Sequence, residues 1–168
     1  GVIREQVEKV AAELGGQVQI DDELLDEVTA LVEWPQAVSG RFDEAFLEVP
    51  PEVLVTTMQD NQKYFAVFDD ESRLMPYFIT VANINSSDPQ MVSSGNERVI
   101  RPRFADAKFF WEQDRKVTLS SRLQSLENVI FQQQLGTIAD KVIRIRLLAG
   151  FLADSLAIEV SESERAAE

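Results

Sequence analysis

The sequence predicts an α+β fold, mostly helical, with a small antiparallel sheet or hairpin packed against long amphipathic helices. Three observations point there. Apolar residues recur at three- and four-residue spacing through residues 2–14, 24–32, 100–111 and 138–156, the helical period. Between 64 and 84 the pattern changes to two β-rich runs, YFAVF and MPYFITVANI, separated by the polar turn DDESR, which reads as a hairpin. With 168 residues and 45% hydrophobic content, the chain has enough apolar surface to bury a core.

In order, residues 2–14 form a helix with Ile3, Val7, Val10 and Leu14 on one stripe and Gly15 and Gly16 as a stop. Gln17–Ile20 is a short β-like run. Asp21 or Asp22 caps a second helix that buries Leu24, Leu25, Val28, Leu31 and Val32 and ends at Glu33, Trp34 and Pro35. Residues 36–50 read as short strands turning at Ser39 and Gly40. Pro50, Pro51 and Glu52 open a helix, since proline suits the first turn and an acid complements the dipole. In the hairpin, Pro76 belongs at a strand start or an edge. A long helix follows from Asp88 or Pro89 to about Lys116, with Pro102 either kinking it or starting a second helix. Thr118–Leu126 is a further helix, Gln132–Gln134 a helix end and loop, and Thr137 with Asp140 a capping-box-like start to the last helix. Ile138, Val142, Ile145, Ala149, Leu152 and Leu156 give that helix a four-three stripe that calls for a partner. The tail SESERAAE reads as frayed. Three segments are expected: an acidic helical hairpin at 1–35, an α+β core with a basic aromatic helix at 36–117, and C-terminal helices at 118–168 leading to a further domain. The start at Gly1, inside a helical pattern and without an initiator Met, reads as that of a fragment.

Charge is unevenly placed. The net value is −13, and residues 1–60 hold fourteen acids against three bases. Residues 98–146 reverse the sign, with ten bases against five acids. An acidic body disfavours strong non-specific nucleic-acid binding but leaves room for local phosphate contacts. Apolar stretches are short and interrupted by charge, so no membrane span is expected.

Cysteine and histidine are both absent. That removes disulfides, Cys/His zinc sites and nucleophile systems that rely on histidine. The acidic groups Asp21/Asp22, Asp43/Glu44 and Asp69/Asp70/Glu71 lack calcium-loop spacing and sit where caps and turns want acids, so no metal site is expected. No phosphate-cradling glycine loop is present. No catalytic residue is assigned.

Two stretches are candidates for binding. The run NERVIRPRFADAKFFWEQDR (96–115) is basic and aromatic within an acidic chain. In one reading Arg98, Arg101, Arg103, Lys108, Arg115 and Lys116, with Arg122 beyond them, contact RNA phosphates. In the other, Phe104, Phe109, Phe110 and Trp111 are core and the cations pair with nearby acids. The second stretch is MQDNQKYF (58–65), where Gln59, Asn61, Gln62, Lys63 and Tyr64 could line a polar pocket, or simply end a helix and turn.

Five motifs in order, LVEWP (31–35), FLEVPPEVLVTTMQDNQKYF (46–65), VANI (81–84), NERVIRPRFADAKFFWEQDR (96–115) and LENVIFQQQLGTIADK (126–141), make the chain resemble the beta subunit of bacterial glycyl-tRNA synthetase, the alpha-two beta-two kind. The resemblance covers roughly residues 1–155; Ala66 departs from the proline the family often has there. It implies a portion of a cytoplasmic ligase that joins glycine to tRNA(Gly) with ATP. It also implies that the alpha subunit, a partner, carries the adenylation site and so binds ATP and magnesium, with no cofactor in this portion. The implied role here is a non-catalytic tRNA-positioning or scaffold module. The alternative is a protein–protein interaction module in which the stripe at 138–156 docks the alpha subunit or a neighbouring beta domain. An editing role around Gln59–Tyr64 has little rationale, because no proteinogenic amino acid is smaller than glycine.

Overall fold

The computed structural model describes residues 1–167. The chain divides into two compact units, Gly1–Glu112 and Gln113–Glu168, and the α+β class holds.

The first unit is a four-stranded antiparallel sheet between two helical layers. Its elements are α1 (Val2–Glu13), β1 (Gln17–Val18), α2 (Asp22–Leu31), β2 (Gln36–Arg41), α3 (Pro51–Gln62), β3 (Phe65–Phe68), β4 (Leu74–Ala82) and α4 (Pro89–Asp114). Strand order is β1-β3-β4-β2. Alternation along β3 decides which layer each side chain enters. Phe65 and Val67 join Ile3, Val7, Ala11, Leu24 and Val28 of α1 and α2 on one face. Tyr64 and Ala66 face the other way, joining Leu54 and Met58 of α3 and Ile100 and Phe104 of α4. Because both faces are covered, β3 reads as a continuous apolar run rather than as an alternating one.

Local signals explain most boundaries. Asp21 caps α2 by accepting from the Glu23 and Leu24 amides, and Pro51 opens α3. Only part of 36–50 is strand: after Arg41 the chain turns at Asp43, which caps a 3-10 turn over Glu44–Glu48. Pro76 lies in β4, a central strand, where the pairing with β3 shifts register between Ala66 and Phe68. A proline without an amide donor is tolerated at such an irregularity. Gly40 faces Phe78 across the β2–β4 ladder, and a Cβ there would overlap the Phe78 ring.

The second unit contains a 3-10 segment (Ser120–Asn128), a two-stranded hairpin of β5 (Ile130–Gln132) and β6 (Gly136–Thr137), then α5 (Ile138–Ser155) and α6 (Val160–Ala166). Three expectations change here. The helix foreseen at 118–126 is a 3-10 segment. The glutamine run 132–134 sits at the tip of a hairpin, not at a helix end, because Gly136 takes φ +81° and turns the chain back. The tail is helical as far as Ala166, started by Glu159, whose carboxylate accepts from the Ser161 amide.

Candidate nucleic-acid interface

The basic run lies on α4, and its position is set by the free edge of the sheet. β2 is an edge strand, and its outward backbone groups would be open to pairing with another strand. Side chains close them instead. Gln6 of α1 accepts from the Ala37 amide at 2.9 Å. Ser93 of α4 donates to the Ser39 carbonyl at 2.7 Å, and Glu97 accepts from the Arg41 amide at 2.8 Å. One turn away, Asn96 accepts the Tyr64 hydroxyl at 2.6 Å. The N-terminal half of α4 is thus fastened along the sheet, with Ile100 and Phe104 fully buried behind it. Phe42 and Phe46 meet Phe104 edge-on at 4.9 and 5.5 Å. The helix continues through Pro102, which does not begin a second one.

This anchoring fixes where the cations project. Arg98, Arg101 and Arg103 are exposed and make no ion pair among the described residues. Arg98 and Arg101, three residues apart, share a side of the helix, whereas Arg103 lies about 160° from Arg101 at 100° per residue. Lys108 is committed: its Nζ donates to Glu48 Oε2 at 2.9 Å, and this hydrogen bond holds its pKa above the ordinary lysine value. Arg115 and Lys116 follow the end of α4, and Arg122 pairs with Asp114 at 3.5 Å. The four candidate cations of the first unit therefore do not form one face, and Arg115 and Lys116 belong to the second unit.

The aromatic residues divide as well. Phe104 is core and Trp111 half-buried, but Phe109 and Phe110 are 54% and 62% exposed, which departs from the reading in which all four are core. They fall off the stripe through Ile100, Phe104 and Trp111, so periodicity alone could have separated them. Arg41, at the end of β2, pairs with Glu44. It lines a cleft of about 340 Å³ with Phe42, Asp43, Phe46, Glu97 and Arg101. Its place at the end of a short strand left no sequence signal.

The polar cluster after α3 disperses. Tyr64 stacks on Phe78 at 4.6 Å in one layer of the core, and burial pushes its phenol pKa up. Lys63, in the left-handed conformation at φ 59°, reaches the opposite side of the sheet to pair with Glu27 of α2 at 2.8 Å. Gln59 and Gln62 are half-exposed and Asn61 exposed at the last turn of α3. These five residues end a helix and do not line one pocket. Among the described residues no three acids converge to hold a metal ion, and no helix is long and apolar enough to cross a membrane.

A sequence model of the family described as glycyl-tRNA synthetase beta subunit matches residues 1–168. The chain belongs to this family. Among curated relatives, the glycine–tRNA ligase beta subunit of Hahella chejuensis is 55% identical over 167 residues, which is 99% of this chain and 24% of that protein. Those of Shewanella woodyi and Shewanella oneidensis are 54% and 55% identical over 165 residues, 98% of this chain and again 24% of theirs. The chain thus spans about a quarter of the length of the glycyl-tRNA synthetase beta subunits it matches. In this family's NERVIRPR stretch as it stands here, Asn96 and Glu97 are structural anchors, and the arginines after them are the surface.

Proposed function

We propose that this chain is part of the beta subunit of a cytoplasmic glycine–tRNA ligase and positions tRNA(Gly) without contributing catalytic groups. Adenylation, with its ATP and magnesium, is assigned to the alpha subunit. The observation carrying the RNA role is the set of exposed arginines Arg98, Arg101 and Arg103, free of ion pairs among the described residues, on a helix that also exposes Phe109 and Phe110. Guanidinium groups suit phosphates, and exposed rings beside them suit unstacked bases. The test is aminoacylation by reconstituted alpha and beta subunits carrying Arg98→Glu, Arg101→Glu and Arg103→Glu together. The expected result is a raised KM for tRNA, with melting temperature and glycine KM unchanged. Unchanged tRNA KM in a folded variant, or collapse of folding, removes the RNA reading.

A second reading concerns the other unit and has its own observation. α5 leaves Ile143, Ile145, Leu147, Leu148, Phe151 and Leu152 exposed. That surface supports protein docking, against the alpha subunit or a neighbouring part of the beta subunit.

A further inference from the structure

We infer that the apolar face of α5 is an unfinished core, closed by an amphipathic helical segment of the same polypeptide outside these 168 residues. The inference rests on the docking reading of α5 and is independent of the RNA role of α4.

In the second unit, the only buried residues among those described are Gly150 and Ala153. Folded domains are stabilised by withdrawing large apolar side chains from water, and a glycine and an alanine supply little of that. Between Val142 and Leu152 the helix reads VIRIRLLAGFL, in which Arg144 and Arg146 are the only polar residues. A helix that is apolar on nearly every side belongs inside a protein or a membrane. The membrane option fails, because no described helix is long and apolar enough to cross one.

The unit itself covers one side of α5. Glu164 of α6 lies against Gly150, close enough that a Cβ there would meet its carboxylate at 2.6 Å. The 3-10 segment flanks the N-terminal half of α5, leaving a groove of about 420 Å³ lined by Leu123, Leu126, Ala139, Val142 and Ile143, among others. Beside this covered side, Leu147 and Phe151 remain 62% and 67% exposed. Leu147 and Phe151 are four residues apart, as are Ile143 and Leu147, so they form a ridge running up from the groove. A partner helix with apolar residues at three- and four-residue spacing matches such a ridge and groove.

Surface this apolar resembles a domain core cut in half, the character of obligate contacts rather than transient ones. A unit with so little core needs its cover during folding. A covalently attached segment is present at high effective concentration from the start, which a separate subunit is not. Chain for the purpose exists in the relatives, which hold about three quarters of their length outside the matched region.

The test is thiol labelling of the intact beta subunit, purified without the alpha subunit. Leu147→Cys and Phe151→Cys are placed singly, with any native cysteines outside these residues replaced; the 168 residues hold none. Both thiols are expected to label about 100-fold or more slowly in the native subunit than in denaturant, because access needs the cover to open. Hydrogen exchange over residues 143–152 of the unsubstituted beta subunit gives the same reading if a variant fails to fold. Protection that appears only on adding the alpha subunit overturns the own-chain assignment while leaving docking in place. Protection lost on dilution assigns the surface to a second copy and likewise overturns it. Rapid labelling both with and without the alpha subunit overturns the docking reading as well.

Discussion

The Tyr64 hydroxyl donates to Asn96 Oδ1 at 2.6 Å, joining the end of α3 to the first half of α4 through the core. Asn96 in turn donates from Nδ2 to the Val92 carbonyl at 2.8 Å, so its amide orientation is fixed from both ends. The pair belongs to the set of contacts that holds the basic helix against the sheet.

Tyr64→Phe removes one hydrogen bond and leaves a half-buried carbonyl oxygen without that donor. A loss of about 1 kcal/mol is expected, with a similar loss for Asn96→Ala. Because the two act as one contact, the double variant should lose less than the sum, which denaturant unfolding of the four proteins measures. Strict additivity contradicts the coupling. Burial raises the Tyr64 pKa above its ordinary 10.0. The folded state therefore holds the phenol proton more tightly than the unfolded state does. That contribution is complete below about pH 10 and fades as pH rises through the folded-state value. Tyr64→Phe should flatten this alkaline limb.

Arg101 and Lys108 sit seven residues apart on one flank of α4 yet should differ in their effect on RNA. Lys108 is held by Glu48 and must surrender that partner before meeting a phosphate. Arg101 has no ion pair to surrender among the described residues. On the RNA reading, Arg101→Gln is expected to reduce the slope of log K against log salt by about 0.7–0.9. Lys108→Gln should change it by less. Equal slopes, measured by tRNA binding to the assembled enzyme across a salt series, would remove the distinction.

Much of this arrangement was legible in the sequence. Asp21, Pro51 and the Thr137–Asp140 pair mark helix starts by local chemistry, which does not depend on the rest of the fold, and each starts a helix as read. The hairpin of β3 and β4 was likewise visible from its apolar runs and polar turn. What escaped is long-range. Nothing near Glu97 says that its carboxylate closes the edge of a strand 56 residues earlier. Gln132–Gln134 read locally as a helix end and loop, whereas Gly136 at positive φ turns the chain back into a hairpin. Arg103 and Arg101 look equivalent in a list of cations and separate only once the buried stripe of α4 defines its outer side.

Gly40 and Phe78 are opposite one another on β2 and β4, and the ring occupies the space a side chain at Gly40 would need. Phe78 is fully buried beneath Tyr64 and has no room to retreat. Gly40→Ala is therefore expected to destabilise the first unit by about 1–3 kcal/mol, the usual range for overpacking. Phe78→Leu alone should also destabilise, by opening space. Combined with Gly40→Ala it should recover part of the loss. A neutral Gly40→Ala in thermal melting would show that β2 shifts to make room.

Thr137 and Asp140 close a reciprocal capping box at the start of α5. The Asp140 amide donates to Thr137 Oγ1 at 3.2 Å, and Asp140 Oδ2 accepts from the Thr137 amide at 2.8 Å. The backbone hydrogen bond from Thr137, reinforced by its hydroxyl, holds the Asp140 carboxyl below its ordinary 3.8. A depressed carboxylate stabilises the folded state fully above the unfolded value, and the contribution disappears as pH falls through the folded value. Helicity of the second unit should accordingly weaken below about pH 4, and Asp140→Asn should remove that component of the acid response. Thr137→Ala, which deletes the hydroxyl cap, is expected to cost about 1 kcal/mol at neutral pH. Gly136→Ala strikes the same box from another side: its φ of +81° disfavours a side chain, and the new methyl would collide with the Asp140 carboxylate. Circular dichroism across pH 2–7 for the three variants separates these effects. An acid response left unchanged in Asp140→Asn would mean that another carboxylate, not the box, controls the start of α5.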